Sequence, residues 1–501
     1  MRMILYPSLL LTLLVRASAS GGTPEAPGVP QELVGLRERW ESTMKDLDVP
    51  GLAVVVVRDG KVLYTETLGE RDPQKHLPVT RDTFFYIASC TKSLLAMTVM
   101  TLVEEGKISL DVPVKKYLPR FQVADSTVTE TLTVRDLLSH GKGLSSDPIV
   151  SLDAFSGEIT EERFYRWLKE AKATGEFNYT NLHYTLMGRI VEAVTGKSWK
   201  DVVDERILKP AGMTRTTAYA SRMYGDPDVA IPCDLENGKL VATRVRKTDR
   251  TMHAAGGMGA SIHDLGRWLR LNLGKGTIDG RRIVSEASAA EIQKTQSHAK
   301  NPSARGLRTR DGYTLGWSAG PYAGKRMLEH GGGYAGTGAF IAFLPDDGIG
   351  VAAVANANRP ITELAVFDVC NRLLGLDASD QLPELKRFAE DRRRRQSMRD
   401  RLFEKKPVTA EGLSMPIDRY VGTYNNSDWG TFLVENREGR LSARWGDLSF
   451  RLRSTDKDAF EADSGTGDAD KCRFEVSSGR VEAVVITIDE EQKLEARFTR
   501  K

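Results

Sequence analysis

The sequence has few of the residues that bind metals or build disulfide frameworks. Its 501 residues include only four cysteines and seven histidines. The cysteines are widely separated, with no Cys-x-x-Cys pair, and the histidines show no His-Glu-x-x-His spacing. We therefore expect no metal and no cofactor. Bridges remain open in an exported protein, but the spacing does not choose among the pairings, and apolar neighbours favour buried thiols at Cys90 and Cys472.

The chain also has no large excess of charge of either sign. Its 71 basic residues are nearly balanced by 68 acidic ones, for a net charge of +3, and the charges are spread along most of the chain. This balance gives no electrostatic reason to expect a nucleic-acid partner or binding to an anionic membrane. The run from Arg392 to Arg395 lies in a highly charged segment, and we interpret it as a solvated helix face.

Long hydrophobic runs are absent after the N-terminus. The N-terminus itself has Arg2, an apolar stretch from Ile4 to Val15, and Ala17-Ser18-Ala19. This pattern predicts a signal peptide cleaved after Ala19. The apolar stretch is too short for a comfortable membrane span, so we expect a secreted or periplasmic protein without stable membrane insertion.

The arrangement of strands and helices predicts an α+β fold. After a flexible lead-in at 20–34, two strands at 52–57 and 62–68 are joined by an Asp-Gly turn. Helical patterns follow from 90 to 215, and strand patterns return at 325–328, 338–344 and 349–355, before a helix at 361–374. We expect one antiparallel sheet flanked by helices, with a helical subdomain, over residues 35–377.

The last part of the chain has a different pattern. Residues 378–412 are highly charged and predict a helical linker. From 413 to 501, apolar residues alternate with polar ones in short segments, and Glu438-Gly439 and Ser478-Gly479 supply turns. This pattern predicts a small antiparallel β-barrel, either packed or hollow.

The pattern Ser-x-x-Lys is the first candidate for catalytic chemistry, and it occurs at Ser42, Ser89, Ser139, Ser297 and Ser454. On a helix, residues three apart share a face, so a lysine amine can reach a serine hydroxyl and remove its proton. Only Ser89 is followed by a strongly apolar helix, Ser93 to Val103, which predicts burial. The others fall in a solvated helix (Ser42), a glycine-rich loop (Ser139), a polar stretch (Ser297) and a turn (Ser454). A helix-capping serine with an incidental lysine is the competing interpretation at Ser89.

Two further motifs could belong to the same site. Tyr179-Thr180-Asn181 precedes a helical run; a tyrosine near a lysine can have its phenol pKa lowered and carry protons, and an asparagine can hold a carbonyl group. A second Tyr-x-Asn, at Tyr424, falls at a predicted turn in the barrel. The alternative at Tyr179 is a partly buried structural tyrosine.

The third motif is His330-Gly331-Gly332-Gly333, which enters a predicted strand. Glycines there allow a close approach of backbone to substrate, and a strand N–H can face an oxyanion. The stretch also matches Gly-x-Gly-x-x-Gly, but a dinucleotide site needs a following helix, whereas a strand follows here.

With the three motifs in this order, the chain resembles the serine β-lactamase and penicillin-binding-protein superfamily, nearest to its class C-like β-lactamases, D,D-carboxypeptidases, D-aminopeptidases and related esterases. The resemblance covers about residues 35 to 375. It also includes the stretches 132–140, Gly196, 210–213, 255–258 and 315–317. The trailing barrel is similar to a lipocalin-like domain found after the catalytic domain in some members.

The resemblance implies a role for each residue. Ser89 would be the acylated nucleophile, Lys92 its proton acceptor, and Tyr179 the acid and base for the leaving group and water. Asn181 would hold the substrate amide, and the N–H groups of Ser89 and Gly333 would form the oxyanion hole. The sequence departs from the family at His330, where many members have a lysine, and at Lys142, where a small hydroxyl residue is usual.

These observations favour a secreted serine hydrolase that works through an acyl-enzyme on D-amino-acid-containing peptides or small acyl esters. A β-lactamase is the closest alternative, since histidine at position 330 weakens but does not exclude it. A ligand-binding or sensor protein that is acylated once, without turnover, is the alternative from another class. A peptide or small-molecule substrate is the expected partner, and the sequence leaves a homo-oligomer open.

Overall fold

A computed structural model describes residues 28–377, 381–466, 469–489 and 493–501 of the protein. The predicted signal peptide lies outside the described residues. Within the described part of the chain, no helix combines the length and the apolar character that a membrane span requires.

The strands alternate with helices in the first part of the chain and follow one another directly in the last part. In chain order they are β1 (Gly51–Arg58), β2 (Lys61–Asp72), β3 (Leu77–Pro78), β4 (Phe85–Tyr86), β5 (Leu144–Ser145), β6 (Lys172–Ala173), β7 (Thr216–Thr217), β8 (Cys233–Glu236), β9 (Lys239–Ala242), β10 (Gly259–Ala260), β11 (Thr277–Ile278), β12 (Arg281–Arg282), β13 (Ser297–Arg305), β14 (Arg308–Tyr313), β15 (Ser318–Tyr322), β16 (Lys325–Tyr334), β17 (Thr337–Leu344), β18 (Ile349–Ala355), β19 (Gly422–Asn426), β20 (Gly430–Arg437), β21 (Arg440–Trp445), β22 (Leu448–Asp456), β23 (Ala459–Asp463), β24 (Asp470–Ser477), β25 (Arg480–Asp489) and β26 (Leu494–Arg500).

The helices range in length from four to 24 residues. They are α1 (Leu36–Asp46), α2 (Thr91–Glu104), α3 (Val114–Tyr117), α4 (Ser126–Thr131), α5 (Val134–Ser139), α6 (Asp147–Val150), α7 (Glu161–Leu168), α8 (Asn181–Thr195), α9 (Trp199–Val203), α10 (Ala220–Tyr224), α11 (Ile262–Leu273), α12 (Glu286–Gln293), α13 (Ile361–Leu374) and α14 (Leu382–Lys405). Short 3₁₀ or π turns occupy Gln31–Leu33, Ala88–Cys90, Ser151–Ser156, Asp204–Leu208, Ala410–Gly412 and Ile417–Arg419.

One antiparallel sheet joins the two ends of the first part of the chain, as predicted. Its strand order is β13-β14-β15-β16-β17-β18-β1-β2-β3, so β1 lies between β2 and the late strand β18. The valine-rich β1 is buried on both faces because its side chains alternate between two cores. Ala53, Val55 and Val57 pack in the core that includes α11, and Leu52, Val54 and Val56 in the core that includes α13.

The last strands, β19 to β26, form a closed eight-stranded antiparallel barrel. Closure satisfies the strand edges, and alternate side chains fill the interior. Phe432, Phe450 and Phe498 form one aromatic cluster inside it, and Phe460 and Phe474 another. The predicted α+β fold followed by a small antiparallel barrel is therefore confirmed. The sequence left open whether the barrel is packed or hollow, and these buried rings show a packed interior.

Several local predictions were wrong. Ser139 ends helix α5 instead of lying in a loop, and Ser454, predicted at a turn, lies within strand β22. Tyr424, predicted at a turn, lies within strand β19 and is buried. The sheet strands β13 to β15 were not predicted at all, because their residues include Pro302, Arg310 and Asp311 and lack a clear alternation.

Candidate active site

Ser89 lies in a tight turn that leads directly into a buried helix. The 3₁₀ turn Ala88–Cys90 continues as α2, whose residues from Thr91 to Leu102 are all buried. Ala88 has φ of 44°, in the left-handed region that alanine rarely adopts, and such strain is characteristic of functional sites. The turn is fixed from two sides, by Ile87 N–H donating to Met258 O at 3.0 Å and by Cys90 Sγ donating to His330 O at 3.2 Å.

Lys92 is completely buried and directs its amine at three oxygen atoms. Its Nζ lies 3.1 Å from Ser89 Oγ, 2.9 Å from Asn181 Oδ1 and 2.7 Å from Ala255 O. The carbonyl oxygens of Asn181 and Ala255 can only accept hydrogen bonds. When the amine is neutral, its two hydrogens satisfy these two acceptors, and its lone pair is left facing the Ser89 hydroxyl.

Burial also allows the Lys92 amine to be neutral near physiological pH. Removal of the ammonium group from water lowers the pKa of Lys92 to about 7, and the neighbouring Cys90 opposes this effect only in part. A lysine that loses its proton near neutrality is suited to act as a base, which an ordinary exposed lysine is not.

Tyr179 lies beside this pair, in the loop before α8. Lys92 Nζ lies 4.8 Å from the centre of the Tyr179 ring, and the hydroxyl interacts with Ser89. The residue as a whole is 42% exposed, but its hydroxyl end is withdrawn from water. Burial raises the pKa of the phenol, although the Ser89 hydroxyl opposes this effect. The expected lowering of the phenol pKa was therefore wrong, because burial outweighs the opposing effects of the Ser89 hydrogen bond and the Arg310 charge.

The strand β16 runs past the Ser89 turn at van der Waals distance. A Cβ atom on Gly332 would lie 2.1 Å from Ile87 O, so only glycine fits there. Gly333, the next residue, is exposed. The glycine-rich strand therefore lies close against the Ser89 turn, and it is followed by the strand β17 instead of the helix that a dinucleotide-binding turn requires.

His330 begins this glycine-rich segment and is buried. Its Nδ1 lies 2.8 Å from Gly331 O and its Nε2 lies 2.9 Å from the Tyr313 hydroxyl. Burial, together with the nearby Lys92 charge, lowers the pKa of His330 to about 3, so the ring is neutral. Because Gly331 O only accepts, Nδ1 carries the proton and Nε2 accepts from Tyr313.

Two buried histidines that sequence reasoning did not assign support the Tyr179 loop. His140 Nδ1 lies 3.1 Å from His183 Nδ1, and it also accepts from Thr180 N–H at 3.4 Å. His140 O accepts from Asn178 N–H at 3.2 Å, so one residue holds the backbone on both sides of Tyr179. The His140 and Tyr179 ring centres are 4.7 Å apart. The only signal for His140 in the sequence was its position just before the glycines at 141 and 143, at the end of the stretch 132–140 that contributes to the family resemblance.

The hydrogen bonds also assign the protons of this pair. Leu144 N–H donates to His183 Nε2 at 3.2 Å, so the neutral His183 carries its proton on Nδ1 and donates it to His140. Burial lowers the pKa of both rings, to about 3 for His183. The His140 proton is then on Nε2, which is buried without a hydrogen-bond partner among the described residues. The ring that carries it lies against the Tyr179 and Tyr313 rings.

A beta-lactamase family model matches residues 36–367, which include all of these residues. The chain belongs to the beta-lactamase family. Among curated proteins, penicillin-binding protein 4 of Amycolatopsis lactamdurans is 28% identical over 70% of this chain and 91% of its own length. Protein flp of Staphylococcus aureus (strain MW2) is 27% identical over 62% of this chain, and the match spans 60% of that relative.

Solved structures agree on the fold of the family. A class C beta-lactamase from Rhodobacter sphaeroides aligns with a TM-score of 0.56 and 24% identity, over 68% of this chain and 99% of its own. A penicillin-binding protein homologue from Pyrococcus abyssi, described as octameric, aligns with a TM-score of 0.60 and 23% identity over 93% of this chain and 99% of its own. The resemblance to the serine β-lactamase and penicillin-binding-protein superfamily is confirmed, and with it the class of serine hydrolase.

Proposed function

We propose that the protein is an exported hydrolase that forms an acyl-enzyme on Ser89 and hydrolyses amide or ester bonds. D-amino-acid-containing peptides and small acyl esters are the proposed substrates. The observation that carries the proposal is the buried Lys92 amine, whose contacts with Asn181 and Ala255 leave its lone pair for Ser89.

Acylation follows from this arrangement. Ser89 Oγ attacks the substrate carbonyl carbon, and its proton passes to Lys92 Nζ as the new C–O bond forms. The pKa of Lys92 near 7 supports this step, because a substantial fraction of the amine is neutral and able to accept a proton at neutral pH. Asn181 keeps its amide NH₂ for the substrate, since its Oδ1 is occupied by Lys92.

The carbonyl oxygen becomes negative in this step, and two backbone donors are available for it. Ser89 N–H makes no hydrogen bond with any residue that the structure describes. Gly333 is exposed, and it follows Gly332, which lies against the Ser89 turn. That geometry supports Ser89 N–H and Gly333 N–H as the oxyanion donors.

Tyr179 is assigned to the leaving group. Because its pKa is raised, it carries a proton in the free enzyme and can give it to the departing amine or alkoxide. The transient phenolate recovers a proton from the Lys92 ammonium, which restores the neutral amine. In deacylation, water attacks the acyl ester on Ser89. Tyr179 and Lys92 together accept a proton from the water and return one to Ser89 Oγ as it leaves.

The neutral His330 bears on the choice of substrate. β-Lactams have a carboxylate beside the reactive amide, and a ring with a pKa near 3 offers that carboxylate no positive charge. This supports peptidase or esterase activity over efficient β-lactam turnover. The match to a protein named penicillin-binding protein 4 keeps β-lactam acylation as a competing outcome of the experiment.

The test is covalent labelling together with a hydrolysis panel. The wild type should be labelled by a fluorophosphonate probe and should hydrolyse D-alanyl peptides or p-nitrophenyl esters with steady turnover. Ser89→Ala should lose both, and Ser42→Ala, an exposed serine in another Ser-x-x-Lys, should keep both. Equal labelling of Ser89→Ala would refute the assignment.

Nitrocefin turnover at a comparable rate would indicate a β-lactamase, and one equivalent of product without turnover would indicate a sensor. Export predicts a mature N-terminus at Ser20, which Edman sequencing of the secreted protein checks.

A further inference from the structure

A cavity of about 720 Å³ adjoins the glycine-rich strand of the candidate active site. It begins at Gly333 and the turn that follows, and its other walls come from the linker helix α14 and from the barrel. Gly333 is also one of the proposed oxyanion donors. The cavity therefore borders the proposed oxyanion site at Gly333.

A buried carboxylate of the barrel joins the three walls. Asp463, at the end of β23, is 1% exposed. It accepts from Arg244 of the hydrolase unit at 2.9 Å, from Arg399 of α14 at 2.6 Å and from Arg451 of the barrel at 2.7 Å. Charge-assisted bonds of this kind are strong when one partner is fully buried. The barrel is thus fixed as a wall of the cavity.

The charges that line the cavity are unequal. Five arginines line it, against three acidic residues: Arg244, Arg392, Arg395, Arg399 and Arg451, and Asp234, Glu236 and Asp463. Four of these arginines form ion pairs with the acidic residues; Arg392, for example, donates to Asp234 at 2.7 Å. Arg395 is exposed and has no ion-pair or hydrogen-bond partner in the part of the chain that the structure describes. Its guanidinium is free to take a carboxylate in a bidentate pair.

The surface beside Arg395 is apolar. Phe388 lies two helical turns before it on the same face of α14, is 51% exposed and also lines the cavity. Phe155 lies on the hydrolase side. A chain of carbon atoms would bury area against these rings while a terminal carboxylate meets Arg395.

We propose that this cavity is a substrate subsite that binds a carboxylate remote from the scissile bond, with Arg395 as its cation. The inference rests on the proposed hydrolase function and extends it to a substrate class, acidic esters or amides with an apolar spacer. It also gives the barrel a role, which is to complete the subsite.

The test compares matched ester pairs. The p-nitrophenyl monoesters of glutaric, adipic and suberic acid have a free distal carboxylate, and their distal methyl esters remove only that charge. For wild type, kcat/KM should favour the free acid at one spacer length. Arg395→Gln should lower that acid-to-methyl ratio by about tenfold, and Arg395→Lys should restore part of it. Arg401→Gln changes an exposed arginine of the same helix that lies outside the cavity, and it should leave the ratio unchanged.

A second pair places the carboxylate in the leaving group, with phenyl acetate against the acetate of 3-hydroxybenzoate. If the ratio of kcat/KM within a pair depends on Arg395 in only one of the two designs, that design identifies which side of the scissile bond enters the cavity. The inference would be overturned if, in both designs, the ratio of kcat/KM for the charged ester to that for its uncharged partner were the same in wild type and Arg395→Gln. Failure of the hydrolase proposal is separate: it appears as hydrolysis of the methyl-capped esters that persists in Ser89→Ala.

Discussion

Lys92 Nζ lies 3.1 Å from Ser89 Oγ, and the amine is enclosed in the core of the protein. The helix brings the two residues onto one face, and the surrounding core removes the water that would keep the lysine charged. The fold thus places the proposed base beside the proposed nucleophile.

The rate of acylation should rise with pH through neutrality. The neutral amine is the active form, and burial lowers the Lys92 pKa to about 7, so kcat/KM should fall below that pH. Asn181→Asp would place a carboxylate where Oδ1 now lies 2.9 Å from Nζ, which stabilises the ammonium and moves the acid limb to higher pH by about one unit or more. Asn426→Asp, in the Tyr-x-Asn of the barrel, should leave the limb in place. A limb unmoved by Asn181→Asp would exclude Lys92 as the titrating base.

Tyr179→Phe should reduce kcat by about 10²- to 10⁴-fold with little change in KM, because a general acid acts on the leaving group and not on binding. Substrates with a good leaving group, such as p-nitrophenyl esters, should lose less than amides. Tyr424→Phe removes a buried hydroxyl from the other Tyr-x-Asn and serves as the control, with unchanged kinetics. Equal losses for esters and amides would contradict a role in protonating the leaving group.

His140→Phe should lower kcat by about tenfold while the acid limb of the pH profile stays near 7. The phenyl ring keeps the packing against Tyr179 but loses the acceptor for Thr180 N–H and for His183. The unmoved acid limb separates positioning of Tyr179 from any effect on Lys92. His298→Phe, at an exposed histidine, is the control. A shifted limb would show that His140 acts on Lys92 instead.

Acid stability should depend on His330. Burial lowers its folded-state pKa from 6.5 to about 3, so between these values the unfolded chain binds a proton that the folded protein does not. The free energy of unfolding therefore falls as pH falls through this window, by about 1.4 kcal/mol per pH unit from this residue. His330→Gln should remove that slope, as measured by urea unfolding at pH 6, 5 and 4. His76→Gln, at an exposed histidine, should retain it; equal slopes in the two variants would contradict the argument.

Asp463→Ala should loosen the barrel from the hydrolase unit. It leaves three arginines without their shared carboxylate, at a cost of about 3 kcal/mol or more. Calorimetry should then show a lower melting temperature or a separate barrel transition, and proteolysis should cut faster near α14. Asp346→Ala removes an exposed partner of Arg326 and should cost less than about 1 kcal/mol. Similar melting curves for the two variants would show that Asp463 does not hold the barrel.

Sequence reasoning succeeded where structure depends on neighbours along the chain. Strands β1, β2, β17 and β18, helix α13 and the barrel turns agree with their predicted positions, since alternation, glycine turns and helical periodicity are local properties. It missed β13 to β15, whose polar residues become strands by pairing at the sheet edge. Cys90, Cys233, Cys370 and Cys472, whose pairing the spacing left open, are all buried and unbridged.

By itself, the sequence determined the family, the α+β fold with its trailing barrel, and the spacing that allows Lys92 to reach Ser89, because motif order and periodicity are written along the chain. Only the tertiary structure decided the state of the site. It brings Asn181 and Ala255 to Lys92, keeps Tyr179 protonated and His330 neutral, and places His140 behind the tyrosine loop and Asp463 between the units. These properties depend on burial and on contacts between distant segments. The extent to which a side chain is removed from water is set by tertiary packing, so it cannot be read from the order of residues.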